Sequence, residues 1–148
     1  GNEELINHCV QSGVPVMAHL GLTLQFIHGL GGYKVQGRGS QASKLIFDQA
    51  RKAQELGCFS LVLECVPADL AKAITLELEI PTIGIGAGSD TDGQILVLHD
   101  LLGLYSGHKP RFVRQFANLS ENIASALDNY TRAVEAKDFP TQDESYLE

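Results

Sequence analysis

Four short apolar segments stand out along the chain, each rich in Val, Ile or Leu and bounded by Gly, Pro or Asp. They are VPVMAHLGL (14–22), SLVLEC (60–65), PTIGIGAG (81–88) and QILVLHDLLG (94–103). Continuous apolar runs of this length are typical of strands that are buried on both faces of a sheet. The sequence therefore predicts four strands at these positions.

Helical patterns lie between and around these segments. Residues 43–57 space their apolar side chains as one face of a helix does, and Gly57 suits the end of that helix. Residues 67–78 begin with a proline, which suits a first helical turn, and residues 2–13 end in a glycine. A long amphipathic segment follows at about 112–137. Alternating helices and strands predict an α/β fold with parallel strands and helices outside them.

The alternation of side chains along a strand predicts which residues share a face. Glu64 shares one face of the second strand with Val62. With the large aliphatic side chains packed against helices, Glu64, the glycines of IGIGAG (83–88) and His19 would face the interior of a sheet or barrel. In a (β/α)8 barrel, the C-terminal ends of the strands build the active site. Glu64 is the last inward position of its strand, which makes it a candidate catalytic carboxylate.

Each of these features also has a structural interpretation. Glu64 is either a general base or a carboxylate paired with a cation or with backbone N–H groups. A lone histidine at the end of an apolar run, such as His19, is more often a core residue than a ligand. The glycines at 84–88 either leave room for a ligand or allow tight packing. The glycine-rich segment 31–39 either covers a site or forms an exposed turn. Metal-ligand spacing is lacking around the remaining histidines, which are His8, His28, His99 and His108.

Composition narrows the class of protein further. The chain has 148 residues, 44% of them hydrophobic, which is enough for one ordinary domain. A net charge of −7 without a basic cluster argues against nucleic acid and against an anionic membrane surface as partners. We expect neither a transmembrane helix nor a signal peptide. Three cysteines without zinc-like spacing favour a reduced, cytoplasmic protein.

Five segments together carry a family resemblance. They are HLGLT (19–23), GGYKVQGR (31–38), LVLECVP (61–67), IGIGAG (83–88) and TDGQILVLHD (91–100). In this order and at this spacing, they resemble the ketopantoate hydroxymethyltransferase (3-methyl-2-oxobutanoate hydroxymethyltransferase) family. The resemblance extends from about Val14 to the C-terminal segment.

The resemblance implies a (β/α)8 TIM barrel of the phosphoenolpyruvate/pyruvate type. It also implies transfer of a hydroxymethyl group from 5,10-methylenetetrahydrofolate to 3-methyl-2-oxobutanoate, giving ketopantoate for pantothenate and coenzyme A synthesis. The family's proton acceptor falls on Glu64, and its HLGLT histidine falls on His19, beside the substrate. A magnesium ion and a large homo-oligomer, a decamer, are further implications.

The family's magnesium-binding acidic residues lie upstream of the matching segments. We therefore expect this chain to be about the C-terminal half of the barrel, strands five to eight plus the terminal helices, and to hold no metal ligands itself. Residues 1–110 would form the half-barrel, 111–138 helices that pack on the barrel or a partner, and 139–148 a mobile tail. Catalysis would require the upstream half, so the fragment alone is expected to be inactive.

Two alternatives remain open at this point. One is another carbon–carbon lyase of the same superfamily that acts on a 2-oxo acid and needs no folate. The other is a non-catalytic half-barrel that serves only as an assembly partner. Glu64 and His19 argue mildly against the second, because assembly alone requires neither of them.

Overall fold

The computed structural model describes residues 2–29, 32–105, 107 and 109–146. Helices and strands alternate as far as the third strand, with a short 3-10 turn at Leu24–Phe26 between the first strand and the second helix. The remaining elements are α1 (Glu3–Gln11), β1 (Met17–Gly21), α2 (Ser40–Glu55), β2 (Ser60–Glu64), α3 (Ala68–Glu77), β3 (Thr82–Ile85), β4 (Gly93–Gln94), α4 (Leu98–Leu102) and α5 (Leu119–Glu135).

The four strands form one parallel sheet in the order β1-β2-β3-β4. Gly21 at the end of β1 pairs with Glu64 at the end of β2, and Glu64 pairs in turn with Ile85 at the end of β3. Three strands therefore end level with one another at the same edge of the sheet. The predicted α/β class and the parallel sheet are confirmed.

The core lies between the sheet and the helices α2 and α3. Leu61 and Leu63 on β2 are 0% exposed. They pack in one cluster with helix residues, which are Ile46, Ala50, Leu70, Ala71 and Ile74. Burying one such leucine fully is worth about 1.5–3 kcal/mol, so this cluster determines which face of β2 is turned toward the helices.

The predicted helix ends are confirmed with small shifts. α2 ends at Glu55, and Gly57 follows with φ +86°, a conformation that glycine adopts without steric cost. α3 begins directly after Pro67, with Asp69 in its first turn. α1 ends at Gln11, shortly before Gly13 at φ +79°.

The fourth predicted strand is mostly wrong. Of the segment 94–103, only Gln94 belongs to a strand, and Leu98–Leu102 forms the helix α4. α4 ends at Gly103, which adopts the left-handed conformation typical of a helix end. A short apolar run such as LVLHDLL fits a buried strand and a buried helical turn equally well, which explains the error.

The predicted face of the glycines is also wrong. In the observed register, Ile83 pairs with Val62 and Ile85 with Glu64, so the two isoleucines share the face of Glu64. Gly84 pairs with Leu63 and therefore lies on the helix side, where an added Cβ would meet Thr91 Oγ1 at 2.6 Å. Gly86 and Gly88 come after β3 has ended, in a turn with positive φ.

A second compact unit begins after Ile95 and contains α4 and α5. Phe116 N donates to Leu101 O at 2.8 Å, which ties the segment before α5 to α4. α5 buries none of its residues, and its exposed apolar side chains recur at helical spacing, at Ile123, Leu127, Tyr130 and Val134. The predicted domain limits and the predicted packing of this segment stay predictions. Leu147 and Glu148 of the predicted mobile tail lie outside the described residues.

A polar cluster fixes the segment between β3 and β4. Asp92 Oδ2 accepts from Thr82 N at 2.8 Å and from Thr82 Oγ1 at 3.0 Å. Thr82 Oγ1 in turn lies 2.8 Å from Thr75 Oγ1 on α3. The backbone and side-chain hydrogen bonds from Thr82 lower the pKa of Asp92 below its ordinary value.

This lowered pKa makes the stability of the protein depend on pH. Because the pKa of Asp92 is lower in the folded state, its contribution is present above the unfolded-state pKa of about 3.9 and is lost as pH falls through the folded-state pKa. We expect Asp92→Asn to lower the melting temperature of the intact protein at pH 6 and to reduce the further loss below pH 4. Thermal unfolding from pH 6 to pH 3 measures both.

The matched control is Asp48→Asn on the surface of α2, where the carboxylate is paired with Lys44 and both side chains are exposed. An exposed pair is largely screened by solvent, so this variant should follow the wild type closely over the same range. Equal behaviour of the two variants would contradict the role assigned to Asp92.

Candidate functional site

The site centres on Glu64, the last residue of β2. His19 on β1 lies two residues before Gly21, the register partner of Glu64, so His19 and Glu64 share one face of the sheet. His19 Nε2 lies 3.0 Å from Glu64 Oε2. The side chains are 37% and 15% exposed, respectively. The structure thus brings together the two residues that the sequence predicts for the site, on the face opposite the helices.

The backbone around Glu64 is held from the neighbouring strand. Leu22 N donates to Glu64 O at 2.8 Å, directly after the end of β1. Gly21 has φ +96°, and a Cβ there would lie 2.1 Å from the same carbonyl oxygen. Both the backbone conformation and the close contact therefore exclude a side chain at Gly21. Because glycine has none, β1 can approach Glu64 closely.

Cys65 follows Glu64 and is buried. Burial raises the pKa of the Cys65 thiol, and the negative charge of Glu64 raises it further. A thiol with a raised pKa stays neutral near pH 7 and is a poor nucleophile and a poor base. Of these two adjacent groups, Glu64 is therefore the one suited to accept a proton.

The glycine-rich segment lies beside this turn. Gln36 N donates to Cys65 O at 2.9 Å. Gly37 has φ +78°, and an added Cβ would lie 2.8 Å from Leu70 Cδ2 in the core. The polar and charged side chains of the segment that could take part in chemistry are exposed, at Tyr33, Lys34 and Arg38. The segment thus contacts the site through its backbone; Gly31, its first residue, lies outside the described residues.

The described residues do not form a cluster of metal ligands. Within them, no three His, Cys, Asp or Glu side chains converge as a metal site would require. The acidic residues of DTDGQ (90–94) have other partners, since Asp90 pairs with Lys72 at 3.3 Å and Asp92 bonds to Thr82. His108 lies outside the described residues. Among the helices that are described, none is long and apolar enough to cross a membrane.

Two features of the site have little or no signal in the sequence. Gly21 could have been found as a glycine that ends a strand, which often marks a close backbone approach. Cys65 adopts φ +49°, although cysteine is not a residue that favours positive φ. Pattern reasoning therefore could not find the turn that follows Glu64.

Comparison with known proteins identifies the family. The model of the ketopantoate hydroxymethyltransferase family matches residues 1–142. A protein of Bdellovibrio bacteriovorus named 3-methyl-2-oxobutanoate hydroxymethyltransferase is 55% identical over 146 residues, which are 99% of this chain and 56% of the relative. Proteins of the same name are 50% identical in Francisella tularensis (strain SCHU S4), over 99% of the chain and 55% of the relative, and 49% identical in Legionella pneumophila (strain Paris), over 97% and 55%.

The chain thus spans about half the length of the curated relatives that it matches. The residues that the family model matches include His19 and Glu64. The chain belongs to the ketopantoate hydroxymethyltransferase family.

Proposed function

We propose that this chain supplies the proton-abstracting part of an enzyme that converts 3-methyl-2-oxobutanoate to ketopantoate. The hydroxymethyl group would come from 5,10-methylenetetrahydrofolate. Family membership and the names of the relatives support the transferase activity. The observation that carries the proposal within this chain is the His19–Glu64 pair at the carboxyl edge of the parallel sheet.

The chemistry explains why a carboxylate is useful there. The hydrogen on C3 of the 2-oxo acid is next to a ketone and is only weakly acidic in water. Glu64, with a side chain 15% exposed, would accept this proton, and the carbon would then attack the folate-borne methylene unit. The carbon–carbon bond forms as one carbon–nitrogen bond of the methylene unit breaks. Water replaces the second nitrogen on that carbon and supplies the hydroxyl group, and tetrahydrofolate leaves with both nitrogens protonated. A positioned base typically contributes about 10²–10⁴-fold in rate.

His19 would orient this base. When its Nε2 carries the hydrogen, it donates to Oε2 of Glu64, and this leaves Oε1 as the oxygen that accepts the substrate proton. A fixed carboxylate loses less freedom when the reaction geometry is reached. We propose that His19 also lies beside the bound 2-oxo acid, as the family resemblance implies.

The described residues do not fit a magnesium site, because they gather no cluster of suitable ligands. Hard cations such as magnesium require several oxygen ligands that converge on one point. We therefore assign the magnesium ligands implied by the family to the upstream part of the enzyme, and the steps proposed above use only side chains of this chain.

The proposal extends to how this chain assembles with other polypeptides. The parallel sheet would be one half of a (β/α)8 barrel, closed by an upstream half, within a cytoplasmic homo-oligomer. Two observations support a missing half: β1 and β4 form the edges of the sheet within the described residues, and Met17 on the face of Glu64 is 46% exposed. Exposed edges and apolar surface favour association with another polypeptide.

The first prediction concerns the base. In the complete enzyme, with the upstream half present, we expect Glu64→Gln to abolish exchange of the C3 hydrogen of 3-methyl-2-oxobutanoate with deuterium. The amide is nearly isosteric but cannot accept a proton at neutral pH. Proton NMR in deuterium oxide follows the exchange.

The control is Glu55→Gln, which removes an exposed carboxylate that is bonded to Lys52 on α2. This variant should exchange at the wild-type rate. Near-normal exchange by Glu64→Gln would mean that another group is the base. Turnover of a 2-oxo acid without any folate would favour the lyase alternative, and failure of the complete wild-type enzyme to bind the 2-oxo acid would favour the assembly partner.

The second prediction tests the charge of Glu64 without any assay of activity. Because that charge raises the pKa of Cys65, Glu64→Gln should lower it and increase the thiolate fraction at pH 8. Alkylation of Cys65 by iodoacetamide, followed by mass spectrometry of its peptide, should accelerate by up to about tenfold, since one pKa unit corresponds to a tenfold change in this fraction.

Cys58 is the internal control, because burial alone raises the pKa of its thiol. Its alkylation rate should not change in the Glu64→Gln variant. Equal acceleration at both cysteines would indicate general loosening of the protein, and an unchanged rate at Cys65 would contradict a charged Glu64 beside it.

The third prediction concerns the missing half. We expect the 148 residues alone to aggregate or to pair with a second copy, because among the described residues nothing pairs with the outer edges of β1 and β4, and Met17 on the face of Glu64 is exposed. Addition of the upstream half as a separate polypeptide should yield a defined complex in analytical ultracentrifugation. A monomeric 16.0 kDa species that unfolds cooperatively in calorimetry would contradict the half-barrel.

A further inference from the structure

The backbone leaves β2 through an unusual conformation. Cys65, the residue after Glu64, has φ +49°. Within the described part of the chain, Lys137 is the other non-glycine residue with positive φ. L-residues rarely adopt this region, and those that do are enriched at functional sites, where the surrounding structure holds them in place. The position of Cys65 therefore calls for a physical reason.

Three neighbouring segments hold this turn. Cys65 N donates to Ile85 O at the end of β3, at 2.9 Å, and Cys65 O accepts from Gln36 N, also at 2.9 Å. The preceding carbonyl, Glu64 O, accepts from Leu22 N at 2.8 Å. Cys65 itself is 9% exposed. The two peptide groups that flank Cys65 are thus fixed by β1, by β3 and by the glycine-rich segment.

Gly21 completes the arrangement from the side of β1. Its α-carbon lies so close to Glu64 O that an added Cβ would be 2.1 Å away. A methyl group at this position would displace the carbonyl of Glu64 and, with it, the α-carbon that carries the carboxylate. Gly21, through its close approach to the carbonyl oxygen, and Cys65, through the next peptide group, therefore both constrain the position of Glu64.

We propose that Gly21 and Cys65 are positioning residues, whose backbone junction holds the Glu64 carboxylate in place beside His19 for removal of the substrate proton. This inference rests on the proposed function of Glu64. The junction acts on the geometry of the base and not on affinity for the 2-oxo acid. Disturbing it should therefore lower the rate constant of proton exchange and leave KM nearly unchanged.

The first test replaces Cys65 in the complete enzyme. Val is disfavoured at positive φ, so Cys65→Val should lower kcat for C3 exchange at least about tenfold, with KM within about twofold. Glycine adopts this φ freely, so Cys65→Gly should keep kcat within about threefold of the wild type, even though it loses a buried side chain. Melting temperatures are recorded for each variant.

The control is Cys58→Val, the same substitution at a buried cysteine that does not have positive φ. A positioning role predicts that kcat follows the backbone conformation at residue 65, so that Cys65→Gly is the more active variant whatever its stability. A merely structural role predicts that activity follows melting temperature. Equal loss in the Gly and Val variants, or a Cys65→Val loss no larger than that of Cys58→Val, would overturn the inference.

A second pair of variants keeps the inference testable if Cys65→Val does not fold. Gly21→Ala and Gly13→Ala both place a methyl group on a residue with positive φ, but a Cβ at Gly13 meets no heavy atom within 4 Å. Gly21→Ala should lower kcat for exchange at least about tenfold relative to Gly13→Ala, with KM conserved. Equal kcat values for the two would overturn the inference.

The failure of this inference can be distinguished from failure of the proposed function. If the wild-type enzyme exchanges the C3 hydrogen and Glu64→Gln does not, Glu64 is the base. An unaffected kcat in the Gly21 or Cys65 variants would then contradict the positioning role only and leave the proposed function standing. If Glu64→Gln exchanges normally, the proposed function itself fails.

Discussion

The register between β1 and β2 is the constraint on which the site depends. Gly21 pairs with Glu64, and His19, two residues earlier, lies on the same face. A slip of β2 by one residue would turn Glu64 toward the helices and away from His19. Leu61 and Leu63 prevent such a slip, because both are 0% exposed and would otherwise face the open side of the sheet. Apolar packing on one face thus determines polar geometry on the other.

The two faces of the sheet are unequal, and this inequality bears on function. The helix side is covered by α2 and α3, whereas Met17 on the face of Glu64 is 46% exposed. The candidate base and its histidine lie on this less covered face. A carboxylate is a stronger base where water is excluded, so the proposed chemistry benefits from whatever covers this face. The half-length match to the relatives supports the proposal that the cover is the rest of a barrel.

Sequence patterns were sufficient for the main elements and for the central residue of the site. β2 is an unbroken apolar run that ends in a carboxylate, and this alone marked Glu64. The face of Gly84 was predicted wrongly, because alternation within a strand does not reveal its register with the next strand. The helix α4 was missed because its short apolar run fits either structure. The first error concerns tertiary pairing, which local pattern does not contain, and the second concerns the type of element, which a short apolar run does not determine.

The turn at Cys65 shows a further limit of local rules. Glycine is the residue that most readily adopts a positive φ, and rules based on sequence therefore place such a turn at a glycine. A glycine would have no side chain to place in the core. The buried Cys65 places a side chain in the core at this φ, while three backbone hydrogen bonds hold the turn and its neighbour Glu64. Functional proteins tend to depart from local conformational preferences at their sites, and the positive φ of Cys65 beside a candidate base is such a departure.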